Sequence, residues 1–400
     1  MPIFLWKGKN RRGQDIQGEI EAQSKEEVES KLRSQGVMPT KIKKKPKEIE
    51  ISFLKPKVKL KDIVIFTRQI TTMIEAGLPL VQSLEILSAQ TENKTFREIL
   101  SDIKVSVESG STLSKAMEKH PKVFNTLFVN MINAAELSGN LDVIFTRLAT
   151  FMEKTMALQR KIKGALFYPV SIIVVAAIVV AILLIKVVPT FASMFSSAGQ
   201  ALPMPTQIVI NISNWLRAYI VYLIVGLFIT GVVIKHVYTK TATGRKMFDK
   251  LFLKLPVFGD VIRKAAVAKF TRTLGTMLQS GVSILEAMDI TAKTAGNVIL
   301  EAAVNKARDS IKEGKDIATP LAETKVFPPM VVQMIAIGES TGALDSMLYK
   351  IADFYDDEVD QAVSNLTALM EPMIMVVLGG LIGGLIVAMY LPIFKLGETI

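Results

Sequence analysis

Three uninterrupted apolar stretches constrain the fold of this chain more than any other feature of its sequence. Residues 164–185 and 372–394 contain no charged side chain, and residues 218–234 are shorter but equally free of charge. At 1.5 Å per residue the first stretch would reach about 33 Å as a helix, against a hydrocarbon core of roughly 30 Å. Buried core helices are the less favoured alternative. The sequence therefore predicts three transmembrane helices, at residues 164–188, 216–235 and 371–394.

The composition agrees with a chain that combines membrane spans and water-facing domains. Half of the 400 residues are hydrophobic, 21% are charged, and the mean hydropathy is +0.36. The absence of cysteine excludes disulfides and thiolate chemistry. The net charge of +11 is compatible with nucleic acid, an anionic membrane surface or orientation of the spans. Once spans are predicted, the third explanation needs no further assumption, and we expect no nucleic-acid partner.

The distribution of lysine and arginine predicts how the spans are oriented. Basic residues cluster before the first span, between Lys154 and Lys163, and after the second, between Lys235 and Lys254. Because cytoplasmic loops carry the excess of positive charge, both flanks are expected inside the cell. The first residues lack the apolar core of a cleavable signal peptide, so we expect a cytoplasmic N-terminus. This arrangement makes residues 189–215 a periplasmic connection and residues 395–400 a periplasmic tail.

The sequence contains an internal repeat. Residues 66–87 align with 270–291 at an offset of 204, and residues 134–142 align with 337–345 at an offset of 203. The register continues through two pairs of matched prolines, Pro169 with Pro372 and Pro189 with Pro392. A repeat of this length indicates one structural unit that occurs twice. Each unit leads directly into an apolar stretch, and the middle span is needed to return the chain to the cytoplasm.

Both copies have the periodicity of helices, and we predict two cytoplasmic helical bundles, at residues 57–163 and 236–370. Apolar residues recur at spacings of three and four, as in Ile63, Phe66 and Ile70. Glycines and glutamates recur at matching positions of the copies: Gly77 and Gly281, Glu136 and Glu339, Gly139 and Gly342. The glycines suit left-handed helix ends. For the glutamates we favour capping and bracing within each bundle, with partner contact or divalent-cation binding as the alternative.

Residues 1–56 differ in pattern from the rest of the chain. Residues 4–22 alternate in the manner of a hairpin, and residues 25–36 form a short amphipathic helical pattern. The lysine-rich stretch 41–61 has few aromatic residues between its charges, so a tether beside an anionic membrane is favoured over nucleic-acid binding. We predict a small mixed α/β subdomain followed by a basic linker. The fold class is thus mainly α, an integral membrane protein with two duplicated bundles.

No constellation for catalysis is present in the sequence. The spacing closest to a phosphate loop, Gly13 to Gly18, is followed by Glu19 and lacks the lysine that would contact phosphate. The only histidines, His120 and His236, lie far apart, which disfavours a metal site or a serine–histidine hydrolase. We therefore predict no enzyme activity, cofactor or metal. A scaffold is favoured over a membrane enzyme.

The third span contains glycines at the spacing that allows helices to approach closely. Gly379 with Gly383 and Gly380 with Gly384 form two overlapping G-x-x-x-G pairs. Packing within the chain and self-association are both compatible with this pattern. The role predicted for these residues is structural in either case.

One segment resembles a known family. The run K-I-K-G-A-L-F-Y-P, from Lys161 through Tyr168 to Pro169, is followed by an apolar helix that closes with V-V-P at Pro189. This segment and the duplicated E-x-S-G-x-L-D-type elements resemble the type II secretion F / type IV pilus PilC family, and the first 45 residues resemble its pilus branch. The resemblance covers essentially the whole chain. One departure is Glu371, which stands where the first copy has Tyr168.

The resemblance implies a multi-pass platform protein of the bacterial inner membrane, at the base of a type IV pilus. It implies coupling of cytoplasmic hexameric assembly and retraction ATPases to the insertion or removal of pilin subunits. The implied partners are those ATPases, pilin transmembrane helices, other inner-membrane pilus assembly proteins, membrane lipids and a second copy of the chain, as a dimer. The equivalent platform of a type II secretion system is the alternative within the family. A small transporter is disfavoured because the duplicated mass lies outside the predicted spans.

The distribution of positive charge makes a testable prediction about topology. A reporter fused after Gln200 should be located in the periplasm, and one fused after Lys315 should be located in the cytoplasm. Paired fusions to alkaline phosphatase and a fluorescent protein would measure both. Finding the two fusion points in the same compartment would contradict the arrangement with three spans.

Overall fold

The computed structural model describes residues 3–9, 15–22, 24–34, 36–44, 56–197, 202–256 and 258–397. The chain divides into two compact units, Met1–Lys57 and Val58–Ile400. Residues 10–14 of the predicted hairpin and most of the lysine-rich linker lie outside the described residues.

The first unit is a small antiparallel sheet with one helix. Its elements are β1 (Ile3–Lys9), β2 (Asp15–Glu21), α1 (Lys25–Ser34) and β3 (Met38–Lys44), and the strand order is β2-β1-β3. Phe4 pairs with Ile20 on β2 and with Lys44 on β3. Phe4 packs in a small core with Val28 and Leu32 from α1. The predicted hairpin and short helix are confirmed.

The second unit contains the two predicted bundles, each built from six helices in the same order. The first bundle comprises α2 (Leu60–Glu75), α3 (Leu80–Gln90), α4 (Lys94–Glu108), α5 (Leu113–Glu118), α6 (Thr126–Ser138) and α7 (Leu141–Ile182). After α7 come a π-helical turn (Leu183–Val187), α8 (Val188–Ser197), α9 (Met204–Lys240) and α10 (Ala242–Lys254). The second bundle comprises α11 (Phe258–Gln279), α12 (Ile284–Thr294), α13 (Val298–Lys312), α14 (Ala318–Glu323), α15 (Pro329–Thr341) and α16 (Leu344–Gly397).

Matching helix ends show why the two copies fold alike. Gly77 follows α2 with φ of 80°, and Gly281 follows α11 with φ of 81°. The Gly77 amide donates to the Ile74 carbonyl and the next amide donates to Met73, both at 2.9 Å, which is a Schellman motif. After α11 the Gly281 amide donates to the Leu278 carbonyl at 3.0 Å and the Val282 amide donates to Met277 at 3.1 Å, which is the same motif. A side chain is strained at such φ values, so glycine ends the first helix of each bundle at the same point.

The two bundles share one hydrophobic core. Phe66, Phe96 and Phe124 are almost fully buried and pack edge-on or tilted in the first bundle. In the second bundle the Phe270 ring contacts Phe327 in a tilted arrangement, with ring centroids 4.9 Å apart. The buried side chains of both bundles form a single contiguous cluster. The two copies are therefore packed against each other as well as repeated along the chain.

The last helix of each bundle continues into the membrane without a break. α7 has 42 residues and α16 has 54, lengths of about 63 Å and about 81 Å at the rise of an α-helix. Pro169 lies inside α7, and Pro372 and Pro392 lie inside α16. Among the residues that the structure describes, three helical segments are long and apolar enough to cross a membrane: Leu141–Met194, Met204–Lys240 and Leu344–Pro392. These confirm the three predicted spans.

The segment between the first two spans is more helical than the sequence predicts. Residues 189–215 were expected to be a connection, but α8 covers its beginning and α9 begins at Met204. The charge-free stretches end at Lys186 and Arg217, whereas the helices continue past these residues, in α9 through Thr206 and Ser213. Helix length was therefore underestimated at both ends of this segment.

The unduplicated helix α9 is fastened to the second bundle at its C-terminal end. Asp249 of α10 is 3% exposed and accepts hydrogen bonds from the Tyr238 hydroxyl at 3.1 Å and the Val298 amide at 2.8 Å. The second bond satisfies a free amide at the start of α13. This carboxylate thus joins the returning span to the bundle that follows it.

Candidate functional site

The matched glutamates cap a short helix in each bundle. Both Glu136 carboxylate oxygens accept hydrogen bonds at the start of α5, from the Leu113 amide at 2.5 Å and from the Ser114 amide at 3.1 Å. Glu339 accepts from the Ile317 amide at the start of α14, at 2.9 and 3.0 Å. A helix N-terminus has free amides and a partial positive charge, which a carboxylate satisfies together. Each glutamate therefore connects two helices that are separate along the chain.

The glycines three residues later turn the chain into the membrane-entering helix. Gly139 and Gly342 are the C-caps of α6 and α15, with φ of 74° and 70°. Their left-handed conformation ends one helix and lets α7 or α16 begin within two residues. The pairing of glutamate and glycine thus sets where each long helix starts.

A second matched contact was not predicted from the sequence. Arg68 of α2 makes two hydrogen bonds to Glu153 of α7, at 2.7 and 2.5 Å. Arg272 of α11 donates to Asp356 of α16 at 2.6 Å and to Asp353 at 3.0 Å. The offset of 204 matches the arginines, and the offset of 203 matches Glu153 with Asp356. The repeat alignment could have predicted this contact, since both arginines stand in the duplicated F-T-R sequence.

The two arginine contacts differ in burial and therefore in electrostatics. The Arg68 and Glu153 side chains are 43% and 40% exposed, and hydrogen bonding to Arg68 lowers the pKa of Glu153. The Arg272 side chain is only 9% exposed, and burial raises the pKa of Asp356 although Arg272 opposes the shift. All four residues lie outside the spans predicted at 164–188 and 371–394. The contact that binds α16 to the second bundle is thus less exposed to solvent than the equivalent contact of α7 in the first bundle.

A third matched contact joins the middle helices of each bundle. Lys104 of α4 lies 3.1 Å from Glu85 of α3, and Arg308 of α13 lies 2.5 Å from Asp289 of α12. Lys293 also contacts Asp289, and this hydrogen bond, followed by the charge of Arg308, lowers the pKa of Asp289. The three contacts occur at equivalent places in both copies, so polar side chains and core packing repeat together.

Further contacts join the first bundle to the second. The Arg147 guanidinium of α7 donates to the Gln279 carbonyl at the end of α11. The Lys154 ammonium lies 3.8 Å from Asp353. Nearer the membrane, Lys161 of the family-like segment forms an ion pair with Asp360 of α16. The two long helices are therefore connected along the parts that precede their apolar segments.

The membrane-facing residues of the family-like segment have mixed environments. Tyr168 is 54% exposed, whereas Pro169 beside it is buried. An apolar groove of about 430 Å³ runs between α7 and α16, lined by residues that include Ala176, Ala177 and Val377. Within the described chain, a Cβ added at any of the four glycines of the third span would meet nothing within 4 Å: Gly379, Gly380, Gly383 and Gly384.

The histidines and carboxylates do not assemble into a metal site among the described residues. There, no three histidine, aspartate or glutamate side chains lie close enough to hold an ion. His120 instead lies 2.8 Å from Asp102. The matched carboxylates Glu136 and Glu339 are directed at amides.

Comparison with known families identifies the chain. The model of type II secretion system protein F matches residues 66–189 and again residues 270–392, and the model of that protein's N-terminal domain matches residues 1–43. The chain belongs to the type II secretion system protein F family. The two matched regions coincide with the two copies found in the sequence, each from its first long helix to the proline at the end of its span.

Relatives from several bacteria align over almost the whole chain. The type IV pilus assembly protein PilC of Myxococcus xanthus is 51% identical, with 99% of this chain and 95% of the relative covered. The protein of the same name from Thermus thermophilus is 44% identical, with 100% and 99% covered. The type II secretion system protein F of Vibrio cholerae is 31% identical, with 100% and 99% covered. With its three apolar helices, the chain is a multi-pass protein of the inner membrane.

Because Arg272 is more buried than Arg68, substitution of the two arginines should lower the free energy of unfolding by different amounts. We expect Arg272→Met to lower the free energy of unfolding by about 2–3 kcal/mol, because it leaves the partly buried Asp356 carboxylate without its donor. The matched Arg68→Met should cost about 0–1 kcal/mol, as for exposed ion pairs. Denaturant unfolding of the full chain in detergent measures both. Equal losses would show that burial does not determine the strength of these contacts.

The capping geometry predicts that the matched glutamates stabilise their bundles. Glu136→Gln and Glu339→Gln should each lower the free energy of unfolding by about 0.5–2 kcal/mol, the range of a lost cap or charged hydrogen bond. Glu92→Gln, at an exposed position between α3 and α4, is the control and should have little effect. Unfolding of the full chain and a pilus-shear assay in cells should be measured together. Normal unfolding with lost pili would instead assign the residue to a partner contact.

Proposed function

We propose that this chain is the inner-membrane platform protein of type IV pilus assembly. In this role it couples cytoplasmic hexameric assembly and retraction ATPases to the insertion or removal of pilin subunits at the fibre base. The observation that carries the proposal is the continuity of α7 and α16 from the bundles into the membrane. It is supported by relatives named as type IV pilus assembly proteins at 44–51% identity over nearly the full chain.

The architecture suits the transfer of movement rather than chemistry. A displacement of either bundle acts directly on a membrane helix, because no loop intervenes at residue 164 or 371. The shared core and the Arg147, Lys154 and Lys161 contacts make the two bundles move together. We propose that residues 62–163 and 270–370 are the surfaces that the ATPases contact, and that the chain itself catalyses no reaction.

The membrane surface offers places for the other proposed partners. The glycine face of α16 has no neighbour within the described chain, which favours close packing with a helix of a second copy or a pilin. Residues 219–234 of α9 expose most of their large apolar side chains, including Tyr222, Leu227 and Phe228 at 72–73%. Lipids or pilin helices would cover this surface. A homodimer is the assembly proposed here.

The orientation follows from the charge distribution. The N-terminus and both bundles are proposed to lie in the cytoplasm and the C-terminus in the periplasm, because Lys and Arg cluster on the bundle side of the first two spans and the third span then leads out again. Such a topology places both copies of the repeat on the side where ATP is available.

The platform of a type II secretion system is the second candidate function. Relatives of that name match the whole chain, but at 31–34% identity. Relatives named for pilus assembly reach 51%. This difference favours the pilus, and the identity of the pilin-like genes beside the chain's own gene would distinguish the two systems.

The proposal predicts a defined effect on a partner enzyme. The purified chain should hydrolyse no ATP by itself but should change the turnover of the cognate hexameric ATPase, since its bundles would contact the moving motor. Turnover should be measured with the ATPase alone, the chain alone and the mixture. An ATPase whose phosphate-loop lysine is replaced provides the control for contaminating activity. Hydrolysis by the chain alone, after that control, would rule out a purely mechanical role.

A further inference from the structure

The matched prolines at the ends of the duplicated spans each remove one backbone donor. In an α-helix the amide of residue i donates to the carbonyl of residue i−4, so Pro392 leaves the Ala388 carbonyl without its helical partner. Pro189 follows the π-helical turn, where Val188 donates to the Leu183 carbonyl five residues back. In that register the Leu184 carbonyl would be the one that Pro189 cannot satisfy.

Both of these carbonyls receive a hydroxyl from the same helix. Thr206 Oγ1 donates to the Ala388 carbonyl at 2.5 Å, and Ser213 Oγ donates to the Leu184 carbonyl. Thr206 and Ser213 stand seven residues apart on α9, which is two helical turns and therefore one face. We call these two hydrogen bonds the hydroxyl clamps.

The clamps lie where water is excluded. Thr206 is 5% exposed and Ser213 is 1% exposed. Leu184, Val188 and Leu385 form a buried apolar cluster around them, against which side chains of α9 pack. A backbone carbonyl in such surroundings has no solvent alternative, so the hydroxyl is the donor that compensates for the proline.

The clamps also mark the half of α9 that contacts the other spans. Val209, Ile210 and Leu216 pack against the buried cluster, whereas Leu227 and Phe228 further along α9 are 72% exposed. The helix therefore meets α7 and α16 near their proline-containing ends and separates from them toward the cytoplasm.

We propose that α9, the span without a counterpart in the repeat, clamps both duplicated spans by the carbonyls that their prolines leave free. A bend at Pro189 then requires release of Ser213, and a bend at Pro392 requires release of Thr206. Since one helix carries both hydroxyls, α9 limits bending of each span at its own proline. The inference concerns the membrane domain itself and does not depend on the proposed function.

A double-mutant cycle tests whether each hydroxyl acts on a proline-freed carbonyl. Ser213→Ala should lower the melting temperature of the full chain in lipid nanodiscs, and Thr206→Val should do the same. In the background of Pro189→Ala, Ser213→Ala should lose most of this effect, because the helix can then supply its own amide. Thr206→Val should likewise lose its effect with Pro392→Ala. Ser171→Ala is the control, since its hydroxyl donates within its own helix to Phe167 at 2.8 Å.

Distance measurements provide a readout that does not depend on melting. The chain has no cysteine, so introduced pairs can carry spin labels without background. Labels at the exposed positions Met204 and Phe394 report on Pro392, and labels at Met194 and Trp215 report on Pro189. Thr206→Val should broaden only the first distance distribution and Ser213→Ala only the second.

The results that would overturn the proposal are distinct from a failure of pilus assembly. Equal effects of hydroxyl removal with and without the prolines would show that the hydroxyls do not act on those carbonyls. Unchanged distance distributions in both hydroxyl variants would show that α9 does not limit bending. A change that Ser171→Ala reproduces would assign the effect to general loss of a hydroxyl.

Discussion

The structure depends on one constraint, that the last helix of each bundle and a membrane span are the same helix. α7 and α16 must present an apolar stripe to the bundle core and then apolar side chains all around, toward lipid and the neighbouring spans. Every contact that fixes the beginning of these helices therefore also fixes the position of a span. Gly139 and Gly342 start them, and the Arg68 and Arg272 contacts hold them to the first helix of each bundle.

Duplication has preserved the positions of polar contacts while allowing their strength to differ. The arginine–carboxylate pair is half exposed in the first copy and nearly buried in the second, where Asp353 is an additional acceptor. Asp353 has no acidic counterpart, since Thr150 stands at the matched position. It also faces Lys154 of the other bundle. Asp353 of the second copy thus takes part both in a contact within its own bundle and in a contact between the bundles.

Much of the fold could be predicted because two sequence features, long charge-free runs and a constant repeat offset, are simple to recognise. Charge-free runs gave the three spans, and the repeat offsets gave two equivalent bundles. The helical ends of α8 and α9 could not be found this way, because polar residues such as Thr206 and Ser213 carry no hydropathy signal. The arginine pairs were accessible from the two offsets together. The hydroxyl clamps were not, since they depend on which carbonyl a proline frees and which helix packs beside it.

The position of the unduplicated helix α9 follows from the need to satisfy the backbone carbonyls that prolines leave without a donor. In two parallel spans, the second proline of each, Pro189 and Pro392, leaves one carbonyl unsatisfied in apolar surroundings. A third helix that only returned the chain could pack at any height along the two spans. A helix with two hydroxyls two turns apart can donate to both carbonyls when it packs between the proline-containing ends of the spans. α9 has this spacing, and its remaining turns diverge from α7 and α16. The exposed part of α9 is thereby left available to lipid or to another helix, while the part near the prolines completes the hydrogen bonding of the spans.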